Sequence, residues 1–364
     1  MNKIFLAIIL SSFLLTGCSN STAANNKNAE NLQAAQQESS ESGNQDKNPV
    51  SGNMDEASDK TDPKAKIDLK LLPNESGKIM VLMYHNIGTV ESEWVRTHAN
   101  FIKDLDTLCE KGYRPISLSD YVTGHITTPQ GFTPVVITFD DGNMNNFEYL
   151  ENGLINKDSA VGILTDFHEK HRDFPLEATF FVTGGCPFNQ KGLESKKLNF
   201  IIDSGMDIGN HTKNHPNFKN YTGDQIQAEI GAEAQSLQQI INRADYKINT
   251  LALPFGVRPA DKTLTKYLAS GSFKGIPYEN IAILNVGWNP GYSPYDKRFD
   301  QASIPRVRAS EMKVDNVGLY NYLDYFDRNP QEKFISDGVD EVITIPEGKK
   351  ELLNTSAGKE VYTY

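Results

Sequence analysis

The sequence predicts an α/β fold, a (β/α) barrel, and two observations support this prediction. Short apolar runs of strand length alternate along the chain with segments whose apolar residues recur at helical spacing. Such alternation indicates parallel β/α units, and the number of these units favours a barrel. A length of 364 residues fits one barrel domain with extensions.

The predicted strands are the apolar runs. They are KIMVLMYHNI from residue 78, VVITF at 135–139, ATFFV at 178–182, INTLALPFG at 248–256 and NIAILNVGW at 280–288. Continuous apolar runs of this length are typical of parallel strands that are buried on both faces of the sheet. A further run, EVITIPEG, predicts one strand near the C-terminus.

Two segments carry clear helical patterns. Apolar residues recur at helical spacing between Phe101 and Cys109, so Cys109 is expected to be a buried structural thiol. Thr222 and Gln225 form a capping-box sequence ahead of an apolar stripe that ends at Ile241. This second helix is expected to cover the outside of the barrel.

The N-terminus has the pattern of an export signal. Residues 1–18 place one Lys before an apolar run that is too short for a permanent membrane span. The ending Leu-Thr-Gly-Cys resembles the lipobox of bacterial lipoproteins, which implies cleavage before Cys18 and acylation of its thiol. An ordinary secretory peptide with a chance Cys is the alternative.

Composition divides the remaining chain into three parts. Residues 19–66 are polar and lack residues to bury, which predicts a disordered linker. Residues 67–328 are predicted to form the catalytic domain, and 329–364 a C-terminal extension with a short strand. The chain is therefore expected outside the cytoplasm, attached to the bacterial cell membrane through a lipid anchor.

The charge balance limits the partners of the protein. The formal net charge is −11 and the pI is about 5.2. Nucleic-acid binding requires basic side chains that neutralise phosphates, so no nucleic acid is expected. A monomer is the default oligomeric state.

Two adjacent aspartates end the strand VVITF. Asp140 and Asp141 are followed by Gly142, and active sites of parallel barrels lie where strands end. A turn at the glycine allows both carboxylates to point toward one centre. A bound cation would offset their mutual repulsion.

Two histidines supply matching metal ligands. His211 and His215 are four residues apart, a spacing that places both rings on one face of a helical turn. With one aspartate they make three ligands and leave a position for water, which is typical of catalytic zinc. Two surface histidines in a turn are the alternative for this motif taken by itself.

The motifs together resemble those of the polysaccharide deacetylase family, carbohydrate esterase family four, over roughly 79–327. TFDDG matches the first motif of this family, HTKNH its histidine motif, VLMYHNI its opening strand and LALPFG its third motif. The resemblance implies the distorted barrel of that family. It also implies that the chain is a hydrolase that acts on N-acetyl groups.

The resemblance assigns roles to individual residues. Asp141, His211 and His215 are expected to bind a divalent metal, usually Zn²⁺, and Asp140 to act as the general base. The loop of Pro254, Phe255 and Gly256 is expected to contact substrate, with the Phe255 backbone N–H at the oxyanion. Trp288 is expected to line the pocket.

The chain departs from the family pattern in three motifs: no Asp closely precedes Trp288 in the fourth, and the other two departures concern the base and the acid. Ala252 stands where an arginine usually orients the base, so any charged partner of Asp140 has to come from elsewhere. The stretch SIPRVRASE, where a histidine usually serves as the general acid, contains Arg306 and Arg308 but no histidine. Arginine stays protonated at working pH and cannot serve as that acid.

Three interpretations of the missing acid remain open. His85 follows the first strand and is the candidate for a substitute acid, although a histidine hydrogen-bonded within the rim is the alternative. Asp140 could serve as both base and acid. The chain could also be a catalytically impaired carbohydrate-binding protein of the cell envelope.

The leading functional hypothesis is a deacetylase of a cell-wall or surface glycan. Peptidoglycan or another polymer of N-acetylglucosamine is the expected partner. A metal hydrolase of some other small amide or ester is a further alternative, since a good leaving group needs no strong acid.

Overall fold

A computed structural model describes residues 62–354 and 358–364 of the chain. The predicted signal peptide at 1–18, the lipidation site Cys18 and all but the last five residues of the linker at 19–66 lie outside the described residues. No helix among the residues that are described is both long and apolar enough to cross a membrane.

Each predicted apolar run coincides with a strand, and the described residues also form strands that the sequence analysis did not predict. In chain order they are β1 (Met80–Tyr84), β2 (Asn86–Gly88), β3 (Val95–Thr97), β4 (Tyr113–Pro115), β5 (Thr133–Phe139), β6 (Thr179–Val182), β7 (Asp207–Asn210), β8 (Thr250–Ala252), β9 (Ser270–Phe273), β10 (Ile276–Glu279), β11 (Ala282–Leu284), β12 (Val307–Arg308), β13 (Val342–Ile345) and β14 (Glu360–Thr363). Several are shorter than the runs that predicted them, because the polar or proline-containing ends of those runs turn out of the sheet.

The main sheet is parallel and curled. Its order is β11-β8-β7-β6-β5-β1-β12, with β4 paired to β5. Leu284 at the end of β11 makes a parallel bridge with Ile304, while Val307 pairs with Leu82 of β1. The segment 304–308 therefore contacts both ends of the sheet, which confirms the predicted distorted barrel.

Seven α-helices lie among the described residues. They are α1 (His98–Glu110), α2 (Leu118–Thr123), α3 (Ala160–Lys170), α4 (Glu194–Asp203), α5 (Gly223–Ile241), α6 (Lys266–Ala269) and α7 (Leu319–Arg328). The capping box predicted at the start of α5 is confirmed, since Thr222 accepts from Gln225 N–H and the Gln225 side chain accepts from Thr222 N–H. Cys109 on α1 is half-buried against the core rather than fully buried.

The core lies on both faces of the sheet, and β1 shows why its sequence is apolar throughout. Met80, Leu82 and Tyr84 pack with the apolar faces of the helices, whereas Ile79 and Val81 belong to a second cluster with residues of the other strands. Successive strand residues point to opposite faces, so a strand covered on both sides buries every side chain.

The C-terminal residues pack onto the same domain. Ile343 and Ile345 of β13 are buried in the second cluster, and the Phe334 carbonyl accepts a hydrogen bond from the Thr133 hydroxyl of β5. The polar tail contains a strand that the sequence did not predict, β14, which pairs in parallel with β13.

Candidate metal and catalytic centre

The predicted site residues meet at one edge of the main sheet. Asp140 and Asp141 follow β5, His85 follows β1, His211 follows β7 and Phe255 lies in the turn after β8. These strands are parallel, so their carboxyl ends lie side by side. The tertiary structure thereby gathers groups that lie up to 170 positions apart in the sequence.

Asp141, His211 and His215 form a compact set of potential metal ligands. Asp141 Oδ1 lies 3.5 Å from His211 Nε2 and 3.7 Å from His215 Nε2, and the three ligand atoms all lie within 4.8 Å of one another. Zinc bonds of about 2.0–2.2 Å in a tetrahedron separate neighbouring ligand atoms by about 3.4 Å. The three residues therefore fit a zinc-sized ion.

The orientation of His211 is set by the backbone of β8. Its Nδ1 lies 2.9 Å from the carbonyl oxygen of Ala252, and the side chain is 2% exposed. An Nδ1–H that donates to this carbonyl leaves Nε2 free to bind a metal. Ala252 thus orients His211 through its backbone carbonyl, at the position where the family resemblance led us to expect an arginine side chain.

The helical turn predicted for His211–His215 is wrong. The chain leaves β7 at Asn210 and forms an irregular loop in which Thr212 has φ 69° and His215 has φ 50°. The Asn210 side chain accepts a hydrogen bond from Thr212 N–H and stabilises this loop. The left-handed backbone at these two positions places the centroids of the two histidine rings 4.8 Å apart. The predicted proximity of the rings is therefore confirmed, although the backbone is not helical.

Asp140 is paired with a charged residue that is not one of the three potential metal ligands. The Arg306 guanidinium donates two parallel hydrogen bonds to it, from Nη1 to Oδ1 and from Nη2 to Oδ2, both 2.7 Å long. Arg306 is 0% exposed and Asp140 is 1% exposed. Burial raises the pKa of Asp140, but the positive charges of Arg306 and His211 outweigh burial and hold this pKa well below its usual value.

His85 lies on the other side of Asp140. Its Nε2 is 3.9 Å from Asp140 Oδ2, and its side chain is 16% exposed. Burial lowers the pKa of His85, while the charges of Asp140 and Asp141 act to raise it. The structure therefore brings the substitute acid of the sequence analysis close to the predicted base.

The predicted substrate-contact residues differ in their surroundings. Pro254–Gly256 forms a tight turn in which Phe255 has φ 57°, and the Phe255 ring is 61% exposed and 4.6 Å from the His215 ring. Trp288 is half-exposed, and its backbone N–H donates to the carbonyl of Arg306. The Phe255 ring thus contacts the ring of the potential metal ligand His215. The contact of Trp288 with a site residue is the hydrogen bond from its backbone N–H to the carbonyl of Arg306.

An open groove of about 460 Å³ adjoins the ligand set. Asp141, His215, Asn143, Lys213 and Cys186 are among its lining residues. The Cys186 thiol is half-buried and donates to the Glu194 carboxylate at 3.3 Å. The groove gives solvent and substrate access to the metal-ligand residues from this side.

Sequence reasoning missed three residues around the site. It did not assign a role to Arg306, to Arg308, or to Trp94, whose ring centroid is 4.6 Å from that of His85. One signal was present: two arginines in the otherwise apolar stretch IPRVR indicate buried charges that need partners. No local signal connected Trp94 to the site.

The comparisons with known proteins agree with this geometry. The family model described as polysaccharide deacetylase matches residues 128–271. This segment contains both aspartates, both ligand histidines and the Pro254–Gly256 turn, whereas His85 and Arg306 lie outside it.

Two curated proteins of Bacillus subtilis (strain 168) are similar to the chain. The peptidoglycan-N-acetylmuramic acid deacetylase PdaA is 32% identical over 156 residues, which is 42% of this chain and 48% of PdaA. The chain thus spans about half the length of that relative. YxkH, named provisionally as a polysaccharide deacetylase, is 23% identical over 248 residues, 67% of this chain and 76% of YxkH.

A solved polysaccharide deacetylase from Bacillus cereus shares the fold. It is 19% identical, with a TM-score of 0.50 and a coverage of 68% of each chain. At this identity the likeness concerns the fold only. Over residues 128–271, which contain the two aspartates and the two histidines, the chain is similar to the polysaccharide deacetylase family.

Proposed function

We propose that this protein is a metal-dependent deacetylase that removes N-acetyl groups from a cell-wall or surface polysaccharide. The observation that supports the proposal best is the difference between two neighbouring carboxylates. Asp140 is buried and paired with Arg306, whereas Asp141 is half-buried beside His211 and His215. Such a difference suits one carboxylate that handles protons and another that binds a metal.

Asp141, His211 and His215 would hold the ion, with Zn²⁺ as the first candidate. A divalent metal at this position supplies Lewis acidity that polarises the acetyl carbonyl. The Ala252 carbonyl, which lies 2.9 Å from His211 Nδ1, would leave Nε2 of this histidine available to the ion. The Phe255 backbone N–H is the candidate donor to the oxyanion.

Asp140 would accept the proton of the attacking water. Its lowered pKa keeps it ionised at neutral pH, and Arg306 fixes the orientation of the carboxylate. His85 would give a proton to the leaving amine. Because its Nε2 lies 3.9 Å from Asp140, a proton taken up by the carboxylate can reach His85 after a small movement.

The proposed substrate is peptidoglycan or another polymer that contains N-acetylglucosamine or N-acetylmuramic acid. The similarity to PdaA, which is named for N-acetylmuramic acid, supports a peptidoglycan substrate. The export signal and the sequence ending in Cys18 support a lipid-anchored, extracytoplasmic location. A membrane-tethered domain is suited to an immobile polymer of the envelope.

The test is acetate release from peptidoglycan and from N-acetylchitooligosaccharides by the chain from residue 19 onward, loaded with Zn²⁺. Asp140→Ala and Asp141→Ala are the matched controls. Release that disappears in both variants supports the proposal. Absence of release from the metal-loaded protein contradicts it.

The second candidate is a catalytically impaired carbohydrate-binding protein of the envelope. It rests on one observation, the lack of a histidine in SIPRVRASE. The candidate predicts saturable glycan binding without acetate release. Activity on an activated aryl acetate far above that on every glycan would instead favour a hydrolase of small esters.

A further inference from the structure

Trp94 stands beside the candidate acid at the mouth of the barrel. The Trp94 and His85 rings meet at an interplanar angle of 55°, with 4.6 Å between their centroids. Trp94 is nevertheless 40% exposed. An isolated exposed apolar side chain needs no explanation, but this one touches a proposed catalytic group.

The indole is held in place by a buried arginine. The guanidinium carbon of Arg308 lies 4.5 Å from the centroid of the Trp94 ring, a cation–π contact. Arg308 is 6% exposed, and it donates hydrogen bonds to the carbonyl oxygens of Met312 and Lys313 and to Glu93. A cation fixed in this way restricts the motion of the ring that it contacts.

The backbone around Trp94 is also anchored. The Trp94 carbonyl accepts a hydrogen bond from the N–H of Asn86, which directly follows His85. The next residue but one, Arg96, is buried and makes a bidentate pair with Asp104 of α1. Because these contacts restrict the half-exposed ring, it loses little conformational entropy when it binds a ligand.

We infer that Trp94 is a sugar-stacking residue that binds a glycan unit adjacent to the unit being deacetylated. This inference rests on the proposed function. The C–H face of a pyranose ring stacks on aromatic rings, and Trp94 offers such a ring next to His85. A second exposed ring, that of Phe255, borders His215. Exposed aromatic surface therefore lies beside His85 and beside His215. Such a site takes internal units of a polymer in preference to a single sugar.

The two arginines of IPRVR then have separate tasks. Arg306 orients Asp140, and Arg308 supports Trp94. The stretch SIPRVRASE, which lacks a histidine, thus orients the proposed base and stabilises the proposed sugar-binding residue.

The first test is tryptophan fluorescence, because Trp94 and Trp288 are the only two tryptophans of the sequence. In the Trp288→Phe variant, Trp94 alone reports, and titration with N-acetylchitopentaose is expected to give a saturable change in emission. In the Trp94→Phe variant, Trp288 alone reports, and a much smaller change is expected. A response from Trp288 with none from Trp94 would overturn the inference.

The second test compares kinetics on long and short substrates. Trp94→Ala is expected to raise KM for N-acetylchitopentaose about tenfold and to change kcat by less than about twofold. Hydrolysis of 4-nitrophenyl acetate, which has no sugar to stack, is expected to stay unchanged, and Trp94→Phe to restore most of the affinity. Ile276→Ala, which alters an exposed apolar residue of the β10 strand, is the control.

The outcomes separate this inference from the proposed function. An equal loss of kcat on the aryl ester and on the glycan would mean that Trp94 acts only through His85, and stacking would be wrong. If no glycan is turned over by the wild-type protein, the proposed function fails, while the fluorescence titration still decides whether Trp94 binds sugar.

Discussion

Arg306 forms two parallel hydrogen bonds of 2.7 Å with Asp140, although 166 positions separate the two residues in the sequence. A paired guanidinium and carboxylate of this geometry fixes the orientation of both groups. Ala252 stands where the family resemblance led us to expect an arginine, and a different segment, 304–308, supplies the charged partner of Asp140.

Replacing Arg306 is expected to impair the base. Arg306→Lys keeps the charge but loses the second hydrogen bond, so we expect kcat to fall about 10- to 100-fold. The pKa of Asp140 is expected to rise, because burial is then less well opposed. The acid limb of the kcat/KM profile against pH should therefore move to higher pH, and an unmoved limb would contradict this role.

The same pair is expected to matter for stability. Arg306→Met leaves a buried carboxylate without its partner, which costs about 3–5 kcal/mol in the free energy of unfolding. The double variant Arg306→Met/Asp140→Asn removes the charge and should recover much of this loss in urea unfolding. Equal instability of the single and double variants would show that packing, and not charge, is responsible.

Replacing Asp140 and replacing Asp141 are expected to affect zinc binding differently. Asp141→Asn, His211→Ala and His215→Ala should each lose bound Zn²⁺, whereas Asp140→Asn should retain about one ion per chain and lose activity. Elemental analysis after dialysis measures this. Loss of zinc from Asp140→Asn would mean that the base and ligand roles are assigned to the wrong residues.

His85→Gln is expected to slow amide hydrolysis more than ester hydrolysis. A general acid contributes about 10²- to 10⁴-fold when the leaving group is a poor one such as an amine. An aryl acetate has a good leaving group and should lose much less. A similar loss on both substrates, with zinc retained, would exclude His85 as the acid and favour Asp140 in both roles.

Stability is expected to depend on pH through Glu233 of α5. Glu233 is 1% exposed, and burial raises its pKa from 4.5 to about 7, although Lys213 acts in the opposite direction. The folded state thus retains a proton that the unfolded chain releases, so this stabilisation is complete below pH 4.5 and is lost as the pH rises through 7.

Glu233→Gln cannot ionise and isolates this effect. The stability of the variant relative to the wild type should increase between pH 4.5 and 8, by at most about 3 kcal/mol. Glu279→Gln, which changes an exposed glutamate of β10, is the control for the loss of one charge. A relative stability that stays constant with pH would show that the pKa of Glu233 is the same in the folded and the unfolded state.

Sequence patterns predicted five strands of the main sheet, β1, β5, β6, β8 and β11, because these strands are covered on both faces, but they missed the short strands β4, β7 and β12. β1 and β5 are buried at every position, which favours apolar residues, and the two threonines of β5 donate their hydroxyls to backbone carbonyls. Strand β14 escaped prediction because it lies at the surface, where all four of its residues are exposed or half-buried. The loop at His211–His215 was misjudged because a spacing of four does not distinguish a helical turn from a left-handed loop.

The sequence by itself determined the fold class and the ligand chemistry, because hydrophobic periodicity and local motifs such as TFDDG and HTKNH lie within short stretches of chain. The tertiary structure decided which distant residues support those motifs. Arg306 reaches Asp140 and Arg308 reaches Trp94 only because the segment 304–308 bridges the two ends of the curled sheet. Such contacts depend on strand order and register, and neither leaves a local signal in the sequence.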